Sequence, residues 1–316
     1  MTRRIIIDTD PGVDDAIALW LALASPQLDV LGITVVAGNV PLHDAVTNAT
    51  KIVSLSGRQG VAIYAGSHGP LIGPQRYGKY AAIGAFSDDL VPDASYAVQS
   101  EHAVDFIVRT ARQAAADNDP ITFCAIGPMT NLALALIQHP DVAKGIGQIV
   151  TMSCAFTALG HRVPWAEFNV YADPHAAQRV FSSGIPLVVM PLDMTFQALI
   201  TQKEITTLQQ TAGQPGQAIA NLLAAFDRSD IGRLGREGGP IHDATVIAWL
   251  LQPTLFAGRS ATIGVAVTGE TAGYTWADFY GKLPTAPNAT VMQSVDEAKF
   301  MALLTRVLSH YGYHQG

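Results

Sequence analysis

The sequence predicts a doubly wound α/β fold, a mostly parallel sheet covered by helices on both faces. Three observations carry this expectation. Short β-branched runs alternate with longer helical patterns along the chain. The runs are continuously apolar rather than alternating, as in strands buried on both faces. The composition suits a large core, with 49% of 316 residues hydrophobic and only 14% charged.

The elements follow in order. Arg4–Ile7 is the first strand, and Asp14–Ala24 the first helix, with two acidic residues in its first turn to complement the helix dipole. Val30–Val36 is a strand and His43–Ser56 a helix. Gly66 to Ser100 is rich in Gly, Pro and Asp and predicts a long irregular segment, a mobile element near a site. Glu101–Ala116 is a helix, Ile121–Ala125 a strand, Asn131–Gln138 a helix and Gln148–Met152 a strand. Asp173-Pro174 combines an N-cap with proline at the first helical position, opening a helix over Pro174–Ser182. Pro186–Met190 is a strand, and Gln217–Phe226 and Asp243–Leu251 are helices. Thr262–Val267 and Thr290–Gln293 are strands, and Ser294 to Glu297 fits a capping box before a helix over Asp296–Ser309. No repeat or linker divides the chain, so residues 1–316 read as a single Rossmann-like domain, although length alone allows two.

Few charges exclude a disordered chain or a coiled coil. They also hint that identical subunits cover part of the surface. The net charge is −7, and no Lys/Arg run exceeds Arg3-Arg4, which argues against a nucleic-acid partner. Ala16 to Ala24, the longest apolar stretch near the start, is far short of the ~20 residues that span a bilayer. No secretory signal is evident, and two cysteines, Cys124 and Cys154, make no disulfide framework. A cytoplasmic protein without membrane contacts is the expectation.

In an open α/β sheet, ligands sit beyond the carboxyl ends of the strands. The first strand runs into Asp8-Thr-Asp10-Pro-Gly-Val-Asp14-Asp15, four carboxylates within eight residues and no cation among them. Such crowding raises the pKa of at least one acid unless positive charge compensates, and a hard divalent cation with oxygen ligands does that. The bland alternative is that Asp14 and Asp15 only complement the helix terminus. An EF-hand is excluded, because its Gly and Glu positions are filled by Val13 and Leu19.

Further candidates follow later strands. Asn39 is either a turn residue or an amide offered to a polar ligand. Ile126 has a side chain typical of a core, yet its carbonyl suits a cation such as Ca²⁺. In extended chain Glu167 and Asn169 would share one face, with Phe168 turned away. Asp243 is placed to cap the helix after it, and His242 is suited to proton transfer near neutral pH.

The motif Asp8-x-Asp10-Pro-Gly-x-Asp14-Asp15 strongly resembles the signature of inosine-uridine-type nucleoside hydrolases. Further matches follow in order: Ala37-Gly-Asn39, Ile126-Gly-Pro-Met-Thr-Asn131, Glu167-Phe-Asn169 with Asp173-Pro174, Leu192-Asp193-Met-Thr195, and Ile241-His242-Asp243. The resemblance implies a calcium-dependent hydrolase that splits ribonucleosides into ribose and free base. It implies that Asp10, Asp15, the Ile126 carbonyl and Asp243 hold Ca²⁺, and that Asp10 is the general base. Asp14, Asn39, Glu167 and Asn169 would bind ribose, Met152 and His161 would line the substrate site, and His242 would protonate the leaving base. It also implies a homodimer or homotetramer.

The chain departs from the family pattern on the base side. Ser153-Cys154 follows Met152 where Gly-Gly is common, His161 replaces an Asn, and Ile83-Gly84 replaces a His-Gly pair. The segment from Phe226 to Glu237 lacks the usual tyrosines and carries Arg228, Arg233 and Arg236. This suggests another nucleobase or a modified ribosyl compound, met by His161 or one of these arginines. Two rivals are a haloacid-dehalogenase-like Mg²⁺ phosphatase, which also opens with strand-Asp-x-Asp, and a non-catalytic nucleoside sensor.

Overall fold

The protein was analysed as a computed structural model that describes residues 2–93, 96–226 and 235–313. Among these residues, a ten-stranded sheet forms the frame. Its strands are β1 (Arg3–Thr9), β2 (Leu28–Val35), β3 (Ile63–Ala65), β4 (Val98–Gln99), β5 (Ile121–Ala125), β6 (Ile146–Met152) and β7 (Leu187–Met190), followed later in the chain by β10 (Phe256–Val265), β11 (Thr275–Asp278) and β12 (Ala289–Val295). A short antiparallel pair, β8 (Leu199–Ile200) and β9 (Gly239–Pro240), lies apart from it. The spatial order is β11-β10-β12-β7-β6-β5-β1-β2-β3-β4.

Strands from β4 across to β12 are parallel, while β10 runs antiparallel to both β12 and β11. Helices therefore connect most neighbours, as parallel pairing requires. Alternate residues of β1 supply both faces: Ile5 and Ile7 join one core, and Ile6 joins the other. The first core packs the helices Val13–Ala24, Leu42–Leu55, Gly213–Ala225, Ala244–Leu251 and Glu297–Leu308. The second packs Ala103–Ala116, Thr130–Gln138 and Pro174–Phe181.

The doubly wound architecture is thus present. From β1 the chain winds outward through β2, β3 and β4, then returns to β5 on the other side of β1 and winds the opposite way. The reversal between β1 and β5 is a topological switch point, where a crevice opens at the carboxyl ends of the strands.

Several expectations need correction. Ser294 does not cap the last long helix: β12 runs through Val295, and Asp296 caps, its carboxylate accepting from Lys299 N. Glu167 and Asn169 are not in extended chain. Phe168–Ala172 is a short helix, and the Glu167 carboxylate accepts from the N–H groups of Asn169 and Val170 at its start. Strands β3, β4 and β11 and the helix Gln202–Thr211 were not anticipated. Asp173 does cap Pro174–Phe181, accepting from Ala176 N.

Candidate active site

A cavity of about 450 Å³ opens at the switch point. Asp14, Asn39, Ile126, Met152, His161, Glu167, Asn169, His242 and Asp243 all line it. Asp10 and Asp15 lie directly beneath, both fully buried. The residues that sequence reasoning singled out from positions 10 to 243 therefore converge on one place.

The acidic floor is held by a network centred on Asn39. Asn39 N donates to Asp10 Oδ2 (2.6 Å), and its side-chain amide donates to Asp15 Oδ2 (3.2 Å) and Asp10 O (3.3 Å). Asp15 also accepts from Thr9 Oγ1 (2.6 Å) and Gly12 N (2.9 Å). Asp10 Oδ1 is buried and has no hydrogen-bond partner. Two glycines admit this carboxylate: a Cβ on Gly38 would sit 2.1 Å from Asp10 Oδ2, and one on Gly127 would sit 2.7 Å from Oδ1. Both approaches are closer than any methyl permits, so each position requires glycine.

Asp243 precedes the helix Ala244–Leu251, but its side chain makes no cap bond, so the capping role expected of it is not used. Its carboxylate instead lies with those of Asp14 and Asp15, with one oxygen from each within 4.8 Å of the others. Burial pushes the carboxyls of Asp10 and Asp243 well above the usual carboxylate range, and repulsion from neighbouring aspartates adds to it. Burial likewise raises Asp14, and it raises Asp15 to about 6. Buried acids with an orphaned oxygen, offering carboxylate oxygens as ligands, fit a hard divalent cation.

Asp8 belongs elsewhere. Its Oδ1 accepts from Thr34 Oγ1 (2.6 Å) and Asn131 Nδ2 (2.8 Å), and it does not line the cavity. Asn131, from the Ile126–Asn131 motif, ties this strand to the irregular segment through Ser67 N. The fourth carboxylate of the opening cluster is thus a buried structural acid, raised to about 7 by desolvation.

Opposite the acidic floor, Asn169 Nδ2 donates to the carbonyls of Ile126 (2.9 Å) and Met152 (3.1 Å). The Ile126 carbonyl retains one lone pair, since a carbonyl oxygen accepts twice. Glu167 is buried and raised to about 7 by desolvation, and His161 Nδ1 lies 3.9 Å from its Oε1. His161 and His242 meet edge to face, their ring centroids 5.0 Å apart.

Sequence reasoning missed the aromatic wall. Tyr80 and Phe86, from the irregular segment, pack edge to face on Phe226 at 5.1 and 6.1 Å, and all three line the cavity. No periodicity marks such residues. The segment is anchored by buried Lys51, which donates to Phe86 O and pairs with Asp88, and by Asn48 Oδ1, which accepts from Phe86 N. Ile83 is exposed and does not line the cavity. Arg236 is also away from it, paired with Glu297 at the surface, while Arg228 and Arg233 lie outside the described residues.

Residues 5–302 match the inosine-uridine preferring nucleoside hydrolase family. The chain belongs to this family. It is an enzyme of the nucleoside hydrolase type rather than a member of the phosphatase class weighed above. It is 41% identical over 307 residues to an uncharacterized protein of Schizosaccharomyces pombe, covering 95% of this chain and 97% of that one. It is 38% identical over 320 residues to the pyrimidine-specific ribonucleoside hydrolase RihA of Shewanella woodyi, covering 98% and 99%. Among solved structures, it resembles the purine-preferring ribonucleoside hydrolase from Gardnerella vaginalis at a TM-score of 0.85 and 29% identity, covering 98% of this chain and 99% of that chain. A plant nucleoside hydrolase, the PpNRh1 enzyme, matches at 0.84 and 27%, with the same coverage. No helix among the described residues is long and apolar enough to cross a membrane.

Proposed function

We propose that this nucleoside hydrolase cleaves the N-glycosidic bond of ribonucleosides with Ca²⁺ bound by Asp10, Asp15, the Ile126 carbonyl and Asp243. The observation that carries the reading is the buried, partnerless Oδ1 of Asp10, repelled by the neighbouring carboxylates of Asp14, Asp15 and Asp243, which themselves cluster within 4.8 Å. When bound, a divalent cation there offsets the clustered negative charge and acidifies a nearby water.

The residues divide the work. Asp10 Oδ1 accepts the proton of the attacking water, whose oxygen bonds to C1′ as the bond to the base breaks. Positive charge builds on the ribose ring in that step, and the buried carboxylates of Asp14 and Glu167 stabilise it. Asp14, Asn39, Glu167 and Asn169 orient the ribose hydroxyls, and Met152 packs beside the sugar. The bonding pair leaves with the base, which takes a proton from His242. His161, Tyr80, Phe86 and Phe226 flank the base.

Pyrimidine ribonucleosides are the first substrates to test, on the strength of RihA's printed specificity and its 38% identity. We further propose that residues 1–316 form one domain and that the protein works in the cytoplasm. Unpaired, buried Cys124 and Cys154 are compatible with that location. A homodimer or homotetramer is proposed from the low surface charge, and light scattering tests it. The deciding experiment is a chromatographic screen of purine and pyrimidine ribonucleosides with and without Ca²⁺. Calcium-dependent release of free base supports the reading. Tight binding without turnover would leave the sensor alternative standing and overturn it.

A further inference from the structure

We infer that Asp193 is a positioning residue: its carboxylate clamps residues 156–158 and thereby sets where His161 stands against the base. The inference rests on His161 flanking the base, and it gives a role to the Leu192-Asp193-Met-Thr195 motif, which the reaction itself does not use. Residues 153–166 run from the end of β6 to Glu167 and carry His161 onto the cavity wall. The chain leaves β6 through Cys154, a fully buried residue in the left-handed region (φ 76°). A non-glycine residue stays in that region only where its surroundings over-determine it. Two clamps do so here. The buried Thr275 hydroxyl of β11 donates to Ala155 O (2.9 Å) and accepts from Ala155 N (3.1 Å). Asp193 then takes the next three residues. Its Oδ2 accepts from Phe156 N (2.9 Å), and its Oδ1 from Thr157 N (2.8 Å), Ala158 N (3.1 Å) and the Thr157 hydroxyl.

A carboxylate has room for about four hydrogen bonds, so these four donors fill it. The turn that bears Asp193 is itself firmly seated. Leu192 N donates to Cys154 O (3.0 Å), and Gln197 Nε2 donates to Asp193 O (3.2 Å) and to Gln293 O (3.0 Å) on β12. Phe196, at the end of the same turn, packs edge to face on the His161 ring, with centroids 6.2 Å apart. Asp193 thus holds the backbone just before His161, while Phe196 backs its ring. Beyond the clamp, Gly160 N donates to Pro164 O (3.0 Å) and His161 N to Ala166 O (3.2 Å). These bonds give the turn its shape but not its direction, which comes from the clamp. Glu167 has an anchor of its own, the N–H groups of Asn169 and Val170 at its helix start. Loss of the clamp should therefore disturb the base side of the cavity and spare the ribose side.

The test uses the full-length enzyme loaded with Ca²⁺. Asp193→Asn keeps the shape but puts an amide where three N–H groups and a hydroxyl need an acceptor. Thr157→Val removes one donor at an exposed position and is the milder variant. NMR of the His161 ring, assigned with His161→Gln, reads its position without any turnover. In the wild type its proton shifts should be displaced by the rings of Phe196 and His242, which pack on it. In Asp193→Asn they should move towards those of free histidine, and in Thr157→Val less far. Unmoved His161 signals in Asp193→Asn overturn the inference; if that variant fails to fold, unmoved signals in Thr157→Val do so. Kinetics supply the second readout. Asp193→Asn should lower kcat/KM for uridine roughly 10–100-fold, the range that a small misplacement costs. Inhibition by D-ribose should stay within about twofold of wild type, and in a His161→Ala background the same substitution should change kcat/KM by no more than about twofold. An equal loss in both backgrounds, or an equal loss of ribose affinity, shows a merely structural role and overturns the inference. If the wild type cleaves no ribonucleoside, the proposed function fails, and the His161 signals alone decide the role of Asp193.

Discussion

Replacing Asp10 by Asn should move stability and turnover in opposite directions. In the metal-free protein, Asp10 is fully buried, its Oδ1 has no partner, and Asp14, Asp15 and Asp243 press on it electrostatically. Asn keeps the shape and still offers an oxygen to Asn39 N. It removes the charge and points an amide donor at a cluster of acceptors. Relief of an unsatisfied buried group is worth about 1–3 kcal/mol. For a chain of 316 residues, unfolding entropy converts 1 kcal/mol to about 1.5 °C, so the metal-free Tm should rise by ~2–5 °C. Turnover of a ribonucleoside should fall by ~10³ or more, because the general base and a cation ligand are lost together. Scanning calorimetry in chelator and a free-base release assay in excess Ca²⁺ read the two effects. A metal-free Asp10→Asn protein less stable than wild type would refute the electrostatic reasoning. Turnover within tenfold of wild type would refute the role given to Asp10.

Three further outcomes follow from the same cluster. Ca²⁺ should raise the Tm of the wild type, with a gain approaching 4 kcal/mol at a thousandfold excess over Kd, and Asp243→Ala should abolish the response; a calorimetric shift unchanged in that variant contradicts the ligand assignment. In the metal-free protein, stability should fall as pH rises from about 4 towards 7. Asp8 and Glu167 have folded-state pKa values raised to about 7, so the folded state binds more protons than the unfolded chain across that window. Urea unfolding at pH 5 and pH 8 measures this, and greater stability at pH 8 would contradict it. Glu167→Gln keeps an acceptor for the helix start but removes the charge facing the ribose. It should cut kcat/KM by roughly 10²-fold while the Tm changes little, and unaltered kinetics would remove Glu167 from the sugar site.

The sequence made the parallel part of the fold legible because buried strands such as Ile121–Ala125 are unbroken apolar runs. The acidic motif was legible because four carboxylates without a cation demand compensation. Other features left no such mark. Strands of two or three residues, such as Val98–Gln99, are too short to show a period. The helix Phe168–Ala172 is barely more than one turn, and its defining feature is the Glu167 carboxylate folding back on two N–H groups, a local bond competing with extended chain. The aromatic wall was invisible for a different reason. Tyr80, Phe86 and Phe226 come from an irregular segment and a helix end, and only tertiary packing brings them together. Asp8 adjoins the acidic motif in sequence but does not reach the cavity. Its carboxylate is already satisfied on one oxygen by Thr34 and Asn131.

Asn39 shows how fold and site are coupled. Its amide has two hydrogens, and both are engaged, one with Asp15 Oδ2 and the other with the Asp10 carbonyl. It therefore cannot donate to a sugar hydroxyl without releasing a carboxylate or a backbone group of the floor. What it can offer ribose is its side-chain oxygen, as an acceptor. That oxygen also faces the irregular segment closely, since a Cβ on Gly78 would lie 2.9 Å from it, while Gly78 N donates to Gly38 O. One residue thus braces two carboxylates, Asp15 through its side-chain amide and Asp10 through its backbone N–H, and also meets the irregular segment. Sugar binding, carboxylate geometry and the seating of that segment are mechanically linked through a residue with no ionisable group of its own. Substitutions at Asn39 should consequently disturb cation and ribose affinity together, whereas substitutions at Glu167, on the far wall, should disturb ribose alone.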